Sequence, residues 1–285
     1  PGDEGYLMVG FDSETGEVAS TTGIEASIGW DVPFYSYHIS KVVHSSPKLG
    51  VNNVVKLLTF GNNYTGNSEI CTLFLREKFR QGLNGRLMSK CRFLMMAEHP
   101  ERFSETIFAE MRGVSDDEGN SPFWQWLQEH FFSIDFTLAD YLTGIGKKGF
   151  IADLMPKLPI YINLLSPEAQ AVIGQVHDNT RPALKLLERE GFTNRGYVDI
   201  FDAGPTVECD LRNIESVRHS FRAQVKIAQH SSTQDFLMCN SSFENFRAAV
   251  TKAAYDAETQ SVMIAPDVAD ALLVEEGDFV RLLPQ

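Results

Sequence analysis

The sequence predicts an α+β fold in which a sheet is flanked by helices and followed by a small β-rich C-terminal subdomain. Three observations predict it. Short apolar runs with strand character ("GYLMVGF", "SEICTLFL", "TIFAEMRG") are interspersed with helical stripes in no strict alternation. Two segments open with the helix-start pair Ser-Pro. Beyond about Ile214 the texture turns polar and breaks into short alternating pieces that end in "EEGDFVRLLP". With 285 residues the chain is long enough for one large or two smaller domains, and the texture change divides it at 1–213 and 214–285.

Gly5–Phe11 reads as a strand, joined to a second by a turn at Ser13–Gly16. The stretch from Trp30 to Tyr64 is rich in aromatics, Asn and Gly without helical periodicity, and reads as irregular strands and loops. Ser68–Leu75 reads as a buried strand. Leu87, Cys91, Leu94 and Met95 then fall at i, i+4, i+7 and i+8, the apolar stripe of a helix. Thr106–Gly113 is a further strand, followed by the acidic turn "SDDEGN" and a helix with Ser121 as N-cap and Pro122 at its first position. Trp124 and Trp126 on that helix are expected in the core. A short helix around Lys148–Leu154, an extended piece, and helices from "SPEAQAVIGQVH" and "TRPALKLLEREGF" come next. "GYVDIFDAGPTVEC" is a strand pair or one long strand.

Composition excludes several classes. A net charge of −13 argues against a general nucleic-acid binder, whose phosphate contacts need a basic face. No apolar stretch reaches the length of a membrane span, and the N-terminus lacks a signal pattern, so no membrane partner is expected. Cys71, Cys91, Cys209 and Cys239 form no CxxC pair, which suggests neither a metal site nor a disulfide framework and fits a cytoplasmic protein. The chain starts at Pro1 directly before a strand, so residues are expected to have been trimmed from its front.

"FRQGLNGRLMSK" (79–90) joins the strand "ICTLFL" to the helix. A strand, a glycine loop and a helix N-terminus form a generic anion site, although such a turn needs glycine for steric reasons alone. Charge favours the anion. Arg76, Lys78, Arg80, Arg86, Lys90 and Arg92 fall in one 17-residue window with a single acid, Glu77. Neither GxxxxGK[ST] nor GxGxxG occurs. The loop does resemble the acyl-CoA pyrophosphate loop of the GNAT N-acyltransferases, [RQ]-x-x-G-x-[GA]. The matching residues run from Arg80 to Gly85, with Leu83 where the signature places its first glycine and Gly82 one position earlier.

Longer strings sharpen this. "NGRLMSKCRF", "AEMRGVSDDEGNSPFW", "DYLTGIGKKGFIADLMPK", "VIGQVH" and "GYVDIFDAGPT" together resemble the arginine N-succinyltransferases over almost the whole chain. Leu158 stands where that family commonly carries histidine, and the first strand and helices of a GNAT fold are not found at the front. The resemblance implies a GNAT-like mixed sheet flanked by helices, acting as an enzyme of arginine catabolism. The implied co-substrates are succinyl-CoA and L-arginine, with no metal.

By the same resemblance, Arg80, Gly82, Asn84 and Gly85 bind the cofactor phosphates, Leu73 contacts succinyl-CoA through its main chain, and His177 is the catalytic proton donor. From the residues alone, His177 reads equally as a helix-end histidine satisfied by local backbone. The succinyl carboxylate calls for a guanidinium, which Arg112 offers. The arginine side chain calls for carboxylates, which Glu110, Asp199 or Asp202 offer; each of these also fits an ordinary ion pair or turn. Three alternatives stay open. They are ornithine or another amino acid as acceptor, a non-catalytic acyl-CoA-binding protein, and a homo- or hetero-oligomer that completes the site.

Overall fold

The computed structural model describes residues 2–131 and 154–285, so the helix expected around Lys148–Leu154 lies largely outside the described residues. The first nine strands are β1 (Gly5–Phe11), β2 (Val18–Glu25), β3 (Ser36–Ser46), β4 (Val51–Gly61), β5 (Ser68–Leu75), β6 (Thr106–Glu110), β7 (Ile160–Tyr161), β8 (Thr193–Val198) and β9 (Pro205–Asp210). They form one sheet in the order β1-β2-β5-β6-β9-β8-β3-β4-β7. Among its described strands, only β5 and β6 run parallel.

The stretch read as irregular holds β3 and β4, two 11-residue strands paired as an antiparallel hairpin. Its valines come in adjacent pairs, Val42-Val43 and Val54-Val55, between Lys, His, Ser and Asn, which breaks the period of two that marks a strand. "GYVDIFDAGPTVEC" is a strand pair, β8 and β9.

Helix α1 (Asn84–Glu98) follows β5. It contains no β-branched residue, and beyond Met88 it is buried on more than one side. Phe93, Met95 and Met96 pack with Ile24, Ile70 and Ile107 of the sheet. Leu94 instead meets Leu237, Cys239 and Leu283 of the C-terminal part. Phe93 is fully buried, so its truncation to alanine costs about 3–5 kcal/mol. On a different part of the sheet, α2 (Pro122–Phe131) places Phe123, Trp124 and Leu127 against Tyr37 and Leu58, which puts both Trp124 and Trp126 in the core.

Helix α3 (Pro167–Val172) starts at Ser166, whose hydroxyl accepts from the Ala169 N–H. Helix α4 (Arg181–Arg189) leads into β8, and α5 (Glu215–His219) follows β9. The remaining residues build a second sheet from β10 (Phe221–Ile227), β11 (Asp235–Asn240), β12 (Ala248–Lys252), β13 (Ala254–Asp256), β14 (Ser261–Ile264) and β15 (Phe279–Pro284). Helix α6 (Pro266–Leu272) covers it through Ala269 and Leu272. Among the described residues, no helix is long and apolar enough to cross a membrane.

Candidate active site

The parallel strands β5 and β6 pair only at Ser68–Ile107 and Glu69–Phe108. Each then follows its other neighbour: β5 stays paired with β2 to Leu75, and β6 with β9 to Glu110. A wedge therefore opens between their C-terminal ends, with one edge of β5 left without a strand partner among the described residues. Within this open stretch the β5 register slips against β2, from Gly23–Cys71 to Thr21–Phe74. Thr72 takes a left-handed φ of 49° in the resulting bulge. Its carbonyl accepts from the Thr21 hydroxyl at 3.0 Å, on the β2 side. In a planar trans peptide the next N–H points the opposite way, so the Leu73 N–H points away from the Thr21 hydroxyl.

Beyond β5, a 3₁₀ turn over Glu77–Phe79 brings the chain to the glycine loop. Gly82 carries the left-handed turn at φ +55°, and Leu83 follows as N-cap at an unstrained φ of −97°. The glycine conformation thus sits one place ahead of the signature's, and leucine costs nothing where it stands. A Cβ built on Gly82 or Gly85 meets no heavy atom within 4 Å, so open space lies before both. No side chain caps α1 and no acid lies in its first turn, which leaves the positive end of the helix dipole facing that space. Asn84 folds back, its amide donating to the Phe79 carbonyl at 3.0 Å, and shapes the loop from within.

The basic surplus around the loop is largely structural. Arg76 and Lys78 both pair with Glu17, and Lys90 pairs with the buried Glu190 at 3.2 Å. Arg92 is buried, its Nε donating to the Ser89 carbonyl, and burial lowers its pKa to about 10. Arg80 ties down the end of β5 by donating from Nε to the Leu75 carbonyl at 2.9 Å. Arg80 and Arg86 have no carboxylate partner among the described residues.

Past β6, an isolated antiparallel bridge joins Gly113 to Val176. The His177 N–H donates to the Arg112 carbonyl at 2.9 Å. The fold thus sets His177 and Arg112 side by side at one wall of the wedge, 65 residues apart in sequence. His177 Nδ1 accepts the Asn179 N–H at 3.1 Å, which assigns the proton of the neutral ring to Nε2. Arg112 reaches Ser115 through one nitrogen at 2.8 Å.

Asp199 and Asp202 serve the β8–β9 turn. Asp202 accepts the Gly113 N–H at 2.7 Å and the Gly204 N–H at 2.8 Å, while Asp199 accepts from Phe201 and Asp202. Burial, and then the Asp202 charge, raise the Asp199 pKa well above the usual carboxylate range.

Glu110 lies in a cavity of about 580 Å³ with Asp3, Glu25, Asp31 and Glu69, beside the Trp30 indole. Glu25 and Glu69 are direct cross-strand neighbours, and burial followed by the Asp3 charge raises the Glu25 pKa. Sequence reasoning missed this group apart from Glu110, because its members come from five separate segments. No cluster of three metal-ligating side chains occurs among the described residues.

Residues 1–216 match the family described as arginine N-succinyltransferase beta subunit, and residues 221–284 match that family's C-terminal domain. The arginine N-succinyltransferases of Salmonella paratyphi B and Salmonella newport are each 47% identical over 285 residues, 99% of this chain and 82% of theirs. The solved structure of arginine/ornithine succinyltransferase subunit AI from Pseudomonas aeruginosa superposes with a TM-score of 0.89. It is 35% identical and covers 100% of this chain and 82% of its own.

Proposed function

The chain belongs to the arginine N-succinyltransferase family, and we propose that it transfers the succinyl group of succinyl-CoA to the α-amine of L-arginine, yielding CoA and N2-succinyl-L-arginine. The observation that carries the mechanism is the wedge between β5 and β6, with the bulge at Thr72 on its β5 edge and the open glycine loop beyond that strand.

The CoA pyrophosphate lies before Gly82–Gly85, met by the α1 N–H groups and the helix dipole, with Arg80 and Arg86 beside it. The pantetheine chain enters the wedge and pairs with the free edge of β5. This directs the thioester carbonyl at the Leu73 N–H. That donor stabilises the oxyanion formed when the free α-amine attacks, and holding both reactants in one cleft supplies much of the rate. The tetrahedral intermediate collapses by expelling the CoA thiolate, which the Nε2–H of His177 meets as a hydrogen-bond donor, and the proton shed by the attacking amine ends on the sulfur, giving the amide and CoA–SH. Arg112 holds the succinyl carboxylate, and the acidic cavity with Glu110 and Glu69 receives the guanidinium.

A cavity of carboxylates also accepts the ammonium of ornithine, so acceptor choice is decided by length. The four cysteines are unpaired, three of them buried, in keeping with a reducing cytoplasm. The similar chain from Pseudomonas aeruginosa is named as a subunit, and we infer that this chain too acts within an assembly.

The test is product identification. The purified chain, incubated with succinyl-CoA and L-arginine, is expected to give N2-succinyl-L-arginine by mass spectrometry. Acetyl-CoA and ornithine in parallel reactions set the specificity. A chain that binds CoA yet forms no product would instead be an acyl-CoA-binding protein.

A further inference from the structure

A second cavity, of about 550 Å³, lies between α1, α4, α5 and the end of β15. Its volume falls within the roughly 300–1,000 Å³ of small-molecule sites. It adjoins the glycine loop. Arg86, the residue after Gly85, lines it, and Ser89 and Lys90 continue the same flank of α1. Leu186 of α4 and Leu283 and Pro284 of β15 give it an apolar wall.

Most carboxylates around this cavity are answered within the protein. Glu190 pairs with Lys90 at 3.2 Å and accepts the Ser216 N–H at 2.8 Å. Glu215 pairs with Arg218 at 3.3 Å and meets His219 Nε2 at 2.9 Å. One carboxylate, Glu188, is left against two guanidiniums, Arg86 and Arg189, and none of these three has an ion-pair partner among the described residues. The balance left over is positive, and a guanidinium presents its N–H donors in a planar fork that matches phosphate.

We propose that this cavity receives the 3′-phosphoadenosine end of CoA, with Arg86 and Arg189 on the 3′-phosphate and the base against Leu186, Leu283 and Pro284. The assignment rests on the placement of the pyrophosphate before Gly82–Gly85. The adenosine is joined to the pyrophosphate through its 5′ oxygen, so it lies within a few bonds of the loop, and Arg86 flanks both. The pyrophosphate and pantetheine are common to CoA and to its precursor without the 3′-phosphate. Arg189 lies on α4, away from the glycine loop in sequence, and is the residue that tells the two apart.

The experiment is calorimetric titration of the full chain with CoA and with 3′-dephospho-CoA, for the wild type and for Arg189→Ala. The wild type is expected to bind CoA about tenfold or more tightly than dephospho-CoA, the value of a charge-assisted contact. Arg189→Ala is expected to weaken CoA about fivefold or more and to leave the Kd for dephospho-CoA unchanged. Arg189 is exposed in the last turn of α4, so the variant keeps its fold, and the comparison of the two ligands on the wild type needs no variant. A wild type that binds both ligands equally overturns the proposal, and so does a variant that loses affinity for both alike. Either result leaves the pyrophosphate placement standing, since binding of dephospho-CoA reads that separately. A wild type that binds neither ligand overturns both.

Discussion

The backbone N–H of His177 donates to the carbonyl oxygen of Arg112 at 2.9 Å, tying the loop before α4 to the continuation of β6. The imidazole is held from a second side by the Asn179 N–H at Nδ1, which leaves Nε2 to carry the proton of the neutral ring. His177→Ala is therefore expected to lower kcat at least about tenfold, general acid–base contributions being roughly 10²–10⁴-fold. The KM for succinyl-CoA should change little. Steady-state kinetics check this, and an unchanged kcat would remove His177 from the reaction.

Asp202 acts one step behind that contact. It accepts the Gly113 N–H, and Gly113 forms the bridge that carries Val176 and His177. A Cβ on Gly204 would come within 2.1 Å of the Met111 carbonyl, so the turn and the strand end are interlocked. Asp202→Ala is predicted to orphan two backbone donors, costing about 1–3 kcal/mol each where they are buried. Its kcat should fall, and Asp202→Asn, which retains an acceptor oxygen, should restore part of it. Equal kcat values for the Ala and Asn variants would contradict the positioning role.

Asp199 gives a pH signature. Its pKa is raised in the native state by burial and by the Asp202 charge, so the folded chain binds this proton more tightly than the unfolded one. The penalty is absent below the ordinary carboxylate range and grows as pH rises through the raised native value. Asp199→Asn keeps the acceptor oxygen without the charge. It is expected to stabilise the fold at neutral pH and to match the wild type near pH 4, as read by urea unfolding across that range. A difference independent of pH would refute the assignment.

The acidic cavity should control the acceptor alone. Glu69→Gln is predicted to raise the KM for L-arginine about fivefold or more, the value of roughly 1 kcal/mol for a charge-assisted contact reduced to a neutral one. The KM for succinyl-CoA should stay the same. A rise in both would place the effect on the strand and not on the acceptor.

Much of the fold is legible in the residues, and the limits have physical causes. The strand, glycine loop and helix over 68–98 follow from local signals: an apolar run, a positive-φ glycine, and a stripe at helical spacing. The β3–β4 hairpin escaped because the adjacent pairs Val42-Val43 and Val54-Val55, set among Lys, His and Asn, break the period of two. The basic window was legible as charge but not as structure. The partners of Arg76, Lys78 and Lys90 are Glu17 and Glu190, remote in sequence. The bulge at Thr72 has no sequence mark either, because threonine is an unusual residue at positive φ and nothing beside it announces the turn. His177 could be placed by resemblance, but its link to Arg112 depends on a long-range bridge.

Succinyl-CoA held at the mouth of the β5–β6 wedge, with its pyrophosphate on the glycine loop, is tested most directly by Gly85→Asp. A Cβ at this position meets nothing within 4 Å. An acid in the first turn of α1 favours the helix by about 0.3–1 kcal/mol. The fold should therefore keep or slightly raise its Tm, while the added charge repels the pyrophosphate. Calorimetric titration with succinyl-CoA is predicted to show at least a tenfold weaker Kd than the wild type. An unchanged Kd in the folded variant would contradict the placement of the pyrophosphate.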